Sequence, residues 1–205
     1  MAYTYDRRIG RYRDRSTGRL LSDRVVRDGV DNLADMASRR MADYSRRLLD
    51  GGMSLADWQA RMMADIKASH VAAGVAAHGG KAQMSQADWG RVGQRVRAEY
   101  GYLRGFAQDI AFGRQPLNGT LPARASQYGQ ASRVTYEHVK GGDDKARGMT
   151  VERNVLHGRD HCSLCPTLSE KGWVPIGTLP PIGSRPCRSL DRCTIERRFV
   201  ALQPS

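Results

Sequence analysis

Cysteine is absent from this 205-residue chain until Cys162, after which four occur up to Cys193. That excludes a disulfide framework spread over the whole chain. Lysine is also scarce, with only five of the 33 basic residues, so arginine carries almost all of the formal net charge of +12. Aromatic residues are also few, at 7%. No apolar run approaches the ~18 residues of a membrane span, and the start, Met1 to Arg8, lacks a signal peptide's apolar stretch. The expectation is a protein that works in a reducing cytoplasm, with no membrane partner and no small-molecule substrate. An arginine-borne charge of this size seeks anions, either nucleic acid or an acidic protein surface. Charge alone does not choose between them.

The cysteines form two pairs. Asp160-His161-Cys162-Ser163-Leu164-Cys165-Pro166 is answered, across a Gly/Pro-rich loop, by Pro186-Cys187 and Asp191-Arg192-Cys193. A Cys-x-x-Cys turn aims two thiolates at one point, and a second pair brought back by a loop completes a tetrahedron. This predicts a structural Zn2+ site with Cys162, Cys165, Cys187 and Cys193 as ligands and no position left for a catalytic water. Disulfides are disfavoured by the compartment, and a redox Cys-x-x-Cys by the lack of a thioredoxin-like βαβ pattern. Cys187 and Cys193 are spaced more widely than the second pair of a zinc ribbon, so His161, His157 or Asp191 is a candidate to replace one cysteine.

The predicted fold is mainly α. About four helices form a bundle over residues 22–140, after an N-terminal extended arm (1–21) and before a linker (141–148) and a small zinc-stapled β/loop module (149–205). The arm interleaves Tyr3, Tyr5 and Tyr12 with Arg7, Arg8, Arg11, Arg13, Arg15 and Arg19. With almost no aliphatic residue of its own, it is expected to be disordered or laid on a partner, a protein in preference to nucleic acid.

Within the bundle, Met53-Ser54-Leu55-Ala56-Asp57-Trp58 recurs as Met84-Ser85-Gln86-Ala87-Asp88-Trp89. Both predict a helix start in which serine caps, aspartate reaches back and methionine packs on tryptophan. His70 is expected to be a packed side chain. Gly141 to Gly148 reads as flexible. Residues 150–156 and 194–200 read as strands whose pairing closes the metal site, with Trp173 and Ile176 as its lid.

Taken together, the helical region opening on Ser-Leu-Ala-Asp-Trp, then Arg153-Asn154, the Asp160–Pro166 cysteine turn, Gly172-Trp173-Val174-Pro175-Ile176-Gly177 and a cysteine before a short strand, resemble the phage head-morphogenesis family of Mu F-like minor head proteins. The specific part is residues 150–198. The resemblance implies a structural virion protein in an oligomeric assembly with the portal or major capsid protein, made in the host cytoplasm, with the four cysteines binding metal structurally. The family often closes its site with Cys-x-Cys, where this chain has Asp191-Arg192-Cys193, which leaves the fourth ligand open. A decoration or neck position is the alternative. A protein contacting phage DNA is the second class of function. An enzyme is the least expected, since the sequence has no His-Glu-x-x-His, phosphate-binding glycine loop or Gly-x-Ser-x-Gly.

Overall fold

The computed structural model describes residues 2–157 and 161–200. Met1, residues 158–160 and residues 201–205 lie outside the described part, and with them Asp160 of the cysteine motif and the end of the predicted module. The chain runs β1 (Tyr3–Asp6), β2 (Arg11–Asp14), β3 (Leu20–Leu21), α1 (Asp23–Leu49), α2 (Leu55–Ala77), α3 (Gln86–Ala111), α4 (Thr120–Gln130), α5 (Ser132–Ala146), β4 (Val151–Val155), α6 (Leu164–Glu170), β5 (Val174–Pro175) and β6 (Thr194–Arg198). Mainly helical with small sheets, it matches the predicted class. No helix among the described residues is long and apolar enough to cross a membrane.

The helices begin where their caps place them. Ser54 Oγ accepts from the Asp57 amide at 3.0 Å, and Ser85 closes a full capping box with Asp88. Met53 and Trp58 are both buried in one core cluster, as a staple requires, and Trp58 Nε1 donates to Ser45 Oγ. The second copy departs from the first, because Trp89 is 37% exposed while Met84 packs elsewhere. Trp58 meets Phe106 edge-on, with ring centroids 5.2 Å apart, in a core shared by α1, α2, α3 and α4. The predicted single fourth helix is two, α4 and α5, breaking at Ala131. There the Ser132 hydroxyl takes the Gly129 carbonyl.

The N-terminal arm is not an arm. Strands β1, β2 and β3 form an antiparallel sheet in which Tyr5 pairs with Tyr12. Tyr3, Tyr5 and Tyr12 share one face, and this face packs on α1, α2, α3 and α5. The missing aliphatic residues are supplied by the helices: Val26, Val30, Ala73, Ala77, Val92 and Val139 join the tyrosines in a second core cluster. Tyr12 donates to the Ala77 carbonyl at 2.9 Å and Tyr5 to Asp143 Oδ2 at 2.9 Å, so the polar ends are satisfied as well. Strand β1 runs directly over Gly79, where φ is +69° and an added Cβ would come within 2.6 Å of Thr4 Cα. Only glycine serves there.

Nor is 141–148 a linker. Helix α5 continues to Ala146, and Asp143 and Asp144, within the stretch read as flexible, are buried. Gly141 and Gly142 are small because arginines cross them: a Cβ on Gly141 would lie 3.0 Å from the Arg197 guanidinium, and one on Gly142 would strike Arg91. Their role is close approach, not flexibility. Asp144 stands 3.5 Å from Arg197, which also reaches Glu152 at 3.2 Å. The helical body and the C-terminal module are thereby joined by an ion-pair chain.

Candidate metal centre

Strand β4 is the centre of the C-terminal sheet, in the order β5-β4-β6, with Val155 paired to Thr194 and Val151 to Arg198. This pairing brings the segment before Cys162 alongside the one after Cys193. Asn154, facing inward from β4, donates from Nδ2 to the Cys165 carbonyl at 3.1 Å, while its backbone carbonyl accepts from Ser169 Oγ. The cysteine turn and α6 are therefore hung from the strand. Glu152 on the same strand accepts from the Gly177 and Leu179 amides, each at 2.9 Å, and fixes the Gly/Pro loop.

The four cysteines are free thiols. Cys162 Sγ lies 3.3 Å from Cys165 Sγ and 3.5 Å from Cys187 Sγ, and Cys165 Sγ lies 4.0 Å from Cys187 Sγ. Four thiolates at about 2.3 Å from a zinc ion stand about 3.8 Å apart, and a disulfide needs about 2.05 Å. The three sulfurs thus have the span of three corners of a thiolate tetrahedron. Cys193 joins through Cys165, with Asp191 as the third member of a second, overlapping triad. Ring nitrogen Nδ1 of His161 is 3.8 Å from Cys193 Sγ. His157 is exposed and its Nε2 meets Thr194 Oγ1 at 2.9 Å, so it does not enter either triad. The donor set present fits a metal ion.

One buried cation stands beside the sulfurs. Arg185 is buried, donating from Nε to the Pro180 carbonyl at 3.1 Å and from Nη1 to Asn154 Oδ1 at 2.7 Å, with Nη1 also 4.0 Å from Cys165 Sγ and 3.7 Å from Asp191. A cation is thus held against the sulfurs. Burial would raise the Cys162 thiol, but hydrogen bonds from Cys165 and Cys187 and from the Cys165 and Leu164 amides draw it down to about 7. Burial and the Cys165 thiol push Cys193 up to about 12. Arg188, directly after Cys187, has φ 49°, a conformation that a non-glycine residue holds only when its surroundings impose it.

The apolar cover is not the predicted one. Val134, Leu168, Leu179, Ile182 and Ile195 are buried around the cysteines. Trp173 instead packs between β4 and β6, 4.8 Å from the Arg153 guanidinium and 4.0 Å from that of Arg198. These two arginines, on neighbouring strands, hold the indole away from the cysteine loop. Ile176 lies outside the cluster.

The predicted partner-binding arm residues are dispersed by the sheet. Tyr3, Tyr5 and Tyr12 face the core; Arg7 donates to the Gln83 carbonyl and Asp88, Arg13 to Asp6, and Arg15 to the Gly79 carbonyl. Arg8, Arg11 and Arg19 remain exposed. Sequence reasoning missed the role of Arg185, whose only signal was an arginine beside a Pro-Cys step, and that of Asn154, which it named only within the Arg153-Asn154 step of the resemblance. Comparison with protein-family models, curated proteins and solved structures yields no match for this chain.

Proposed function

We propose that this chain is a non-catalytic structural protein of a tailed-phage head, acting in capsid or portal assembly, with one structural zinc ion holding its C-terminal module. The observation that carries the reading is the way residues 150–198, the segment resembling Mu F-like minor head proteins, fold into a frame for the cysteines. Asn154 holds the Cys165 carbonyl and Arg185, Trp173 is clasped by Arg153 and Arg198, and Gly177 (φ +88°) donates its amide to Glu152. Asn154, Trp173 and Gly177 of the resembling segment each make a structural contact. Zinc is favoured over other metals by thiolates at tetrahedral spacing. Docking by a free N-terminal arm drops out of the proposal, because the tyrosines are used internally. The portal or the major capsid protein remains the proposed partner.

Quantitative mass spectrometry of purified particles tests this. The expected result is about one copy per portal subunit or fewer. A ratio near one per capsid subunit would instead assign a decoration role, and absence from particles would overturn the virion reading and leave the DNA-contacting alternative.

A further inference from the structure

Between α3, α4 and the loop that carries Cys187 lies a cleft of about 1010 Å³. Its charge is lopsided. Five arginines, Arg95, Arg114, Arg124, Arg185 and Arg188, line it against Glu99 and Asp109. Asp109 is fully engaged, with Arg114 Nε at 3.0 Å and Arg124 Nη2 at 3.1 Å. Glu99 is buried and accepts from Arg95 at 3.3 Å. Arg188 is exposed and has no carboxylate at ion-pair distance among the described residues. Behind it, Nη2 of the buried Arg185 has no hydrogen-bond partner, a cost that native proteins seldom leave standing. One aromatic ring stands at the rim, Tyr102 at 67% exposed, while the Arg124 guanidinium covers the buried Phe106 at 4.1 Å.

We propose that this cleft receives an acidic segment of a partner protein, a carboxylate pairing with Arg188 in front of the unpartnered Arg185 Nη2 and an apolar side chain resting on Tyr102. Asp109, clasped between two guanidiniums, is an internal example of the contact. A phosphate backbone fits less well, because Glu99 and Asp109 stand along the α3 wall, where unbroken negative charge would run against them. A polypeptide can set acids against Arg188 and neutral groups against α3. This inference goes beyond the virion reading and stands independently of it.

The test uses the zinc-loaded full chain and fluorescence anisotropy at about 150 mM salt, where exposed long-range attraction is screened. The probes are a labelled Glu/Asp-rich peptide with one Phe, its Gln/Asn counterpart, and an oligodeoxythymidine. The acidic peptide should bind at least tenfold more tightly than either other probe. Arg188→Gly, which suits a φ of 49° and so leaves the fold intact, should weaken it about tenfold, the worth of one charge-assisted hydrogen bond. Arg8→Ala, in the exposed turn between β1 and β2, should leave it unchanged. No peptide binding, equal losses in the two variants, or tighter binding of the oligonucleotide would each overturn the proposal.

Discussion

Arg185 and Asp191 are both sealed from solvent with their charged groups 3.7 Å apart, beside the sulfur of Cys165. A buried ion pair of this kind gains little stability over apolar packing, but removing one partner leaves the other charge stranded at about 3–5 kcal/mol. Its position beside the thiols gives it a further use, since a guanidinium there favours their ionised, metal-binding form.

Replacing Arg185 by methionine is therefore expected to weaken metal retention by tenfold or more in a competition against a chelator, and replacement by lysine by less. Unchanged retention in Arg185→Met would show that the guanidinium serves packing alone.

The N-terminal sheet is part of the core, so its loss should be felt throughout. Tyr12→Ala is expected to cost about 3–5 kcal/mol as a buried aromatic truncation. Tyr5→Phe should cost about 1–3 kcal/mol, since Asp143 and Lys140 both lose a partner. Denaturant midpoints measure both, and a midpoint unmoved by Tyr12→Ala would restore the free-arm picture.

Metal loss should not stay within the module. Val134 of α5 belongs to the cysteine cluster, and the Asp144, Arg197 and Glu152 chain crosses the junction. Cys162→Ser is expected to keep most helical dichroism at 20 °C while lowering the body's melting temperature by about 2–8 °C, the shift expected for one to two kcal/mol in a chain this long. An unmoved melting temperature would make the two parts independent.

His70 is sealed in the bundle with Nδ1 2.6 Å from Thr135 Oγ1, and burial followed by the Arg95 charge lowers its pKa to about 3. The unfolded chain binds a proton at this residue near pH 6.5, while the folded chain does not. Its contribution is thus fully present above about 6.5 and is lost progressively as pH falls toward 3. Asp88, whose pKa of about 2 reflects hydrogen bonds from Ser85 that outweigh its burial, adds loss only below its unfolded value, near 4. In wild type and His70→Gln compared pH by pH, the variant should lose less stability between 6.5 and 4. Parallel curves would show that His70 is not the group responsible.

The long helices were legible because Ser54, Ser85 and the Gly51-Gly52 and His78-Gly79 stops are local signals that tertiary contacts reinforce. The cysteine cluster was legible because four cysteines and two flanking β-rich segments suffice to bring the thiols together. The N-terminal sheet was missed because its apolar partners lie far along the chain. Yet Tyr3, Tyr5 and Tyr12 alternate at strand period around turns at Gly10 and Gly18, both at positive φ, a signal that outweighed the lack of aliphatics. Gly141-Gly142 was misread because glycine marks both flexible backbone and close approach, and only the crossing arginines decide which.

The most direct test of the metal account is X-ray absorption at the zinc edge on protein purified without added chelator, together with metal content per chain. The account predicts one zinc ion per chain in a first shell of sulfur at about 2.3 Å, with three sulfurs and one nitrogen or oxygen if His161 or Asp191 replaces Cys193. A metal-free chain with its cysteines joined as two disulfides would contradict it.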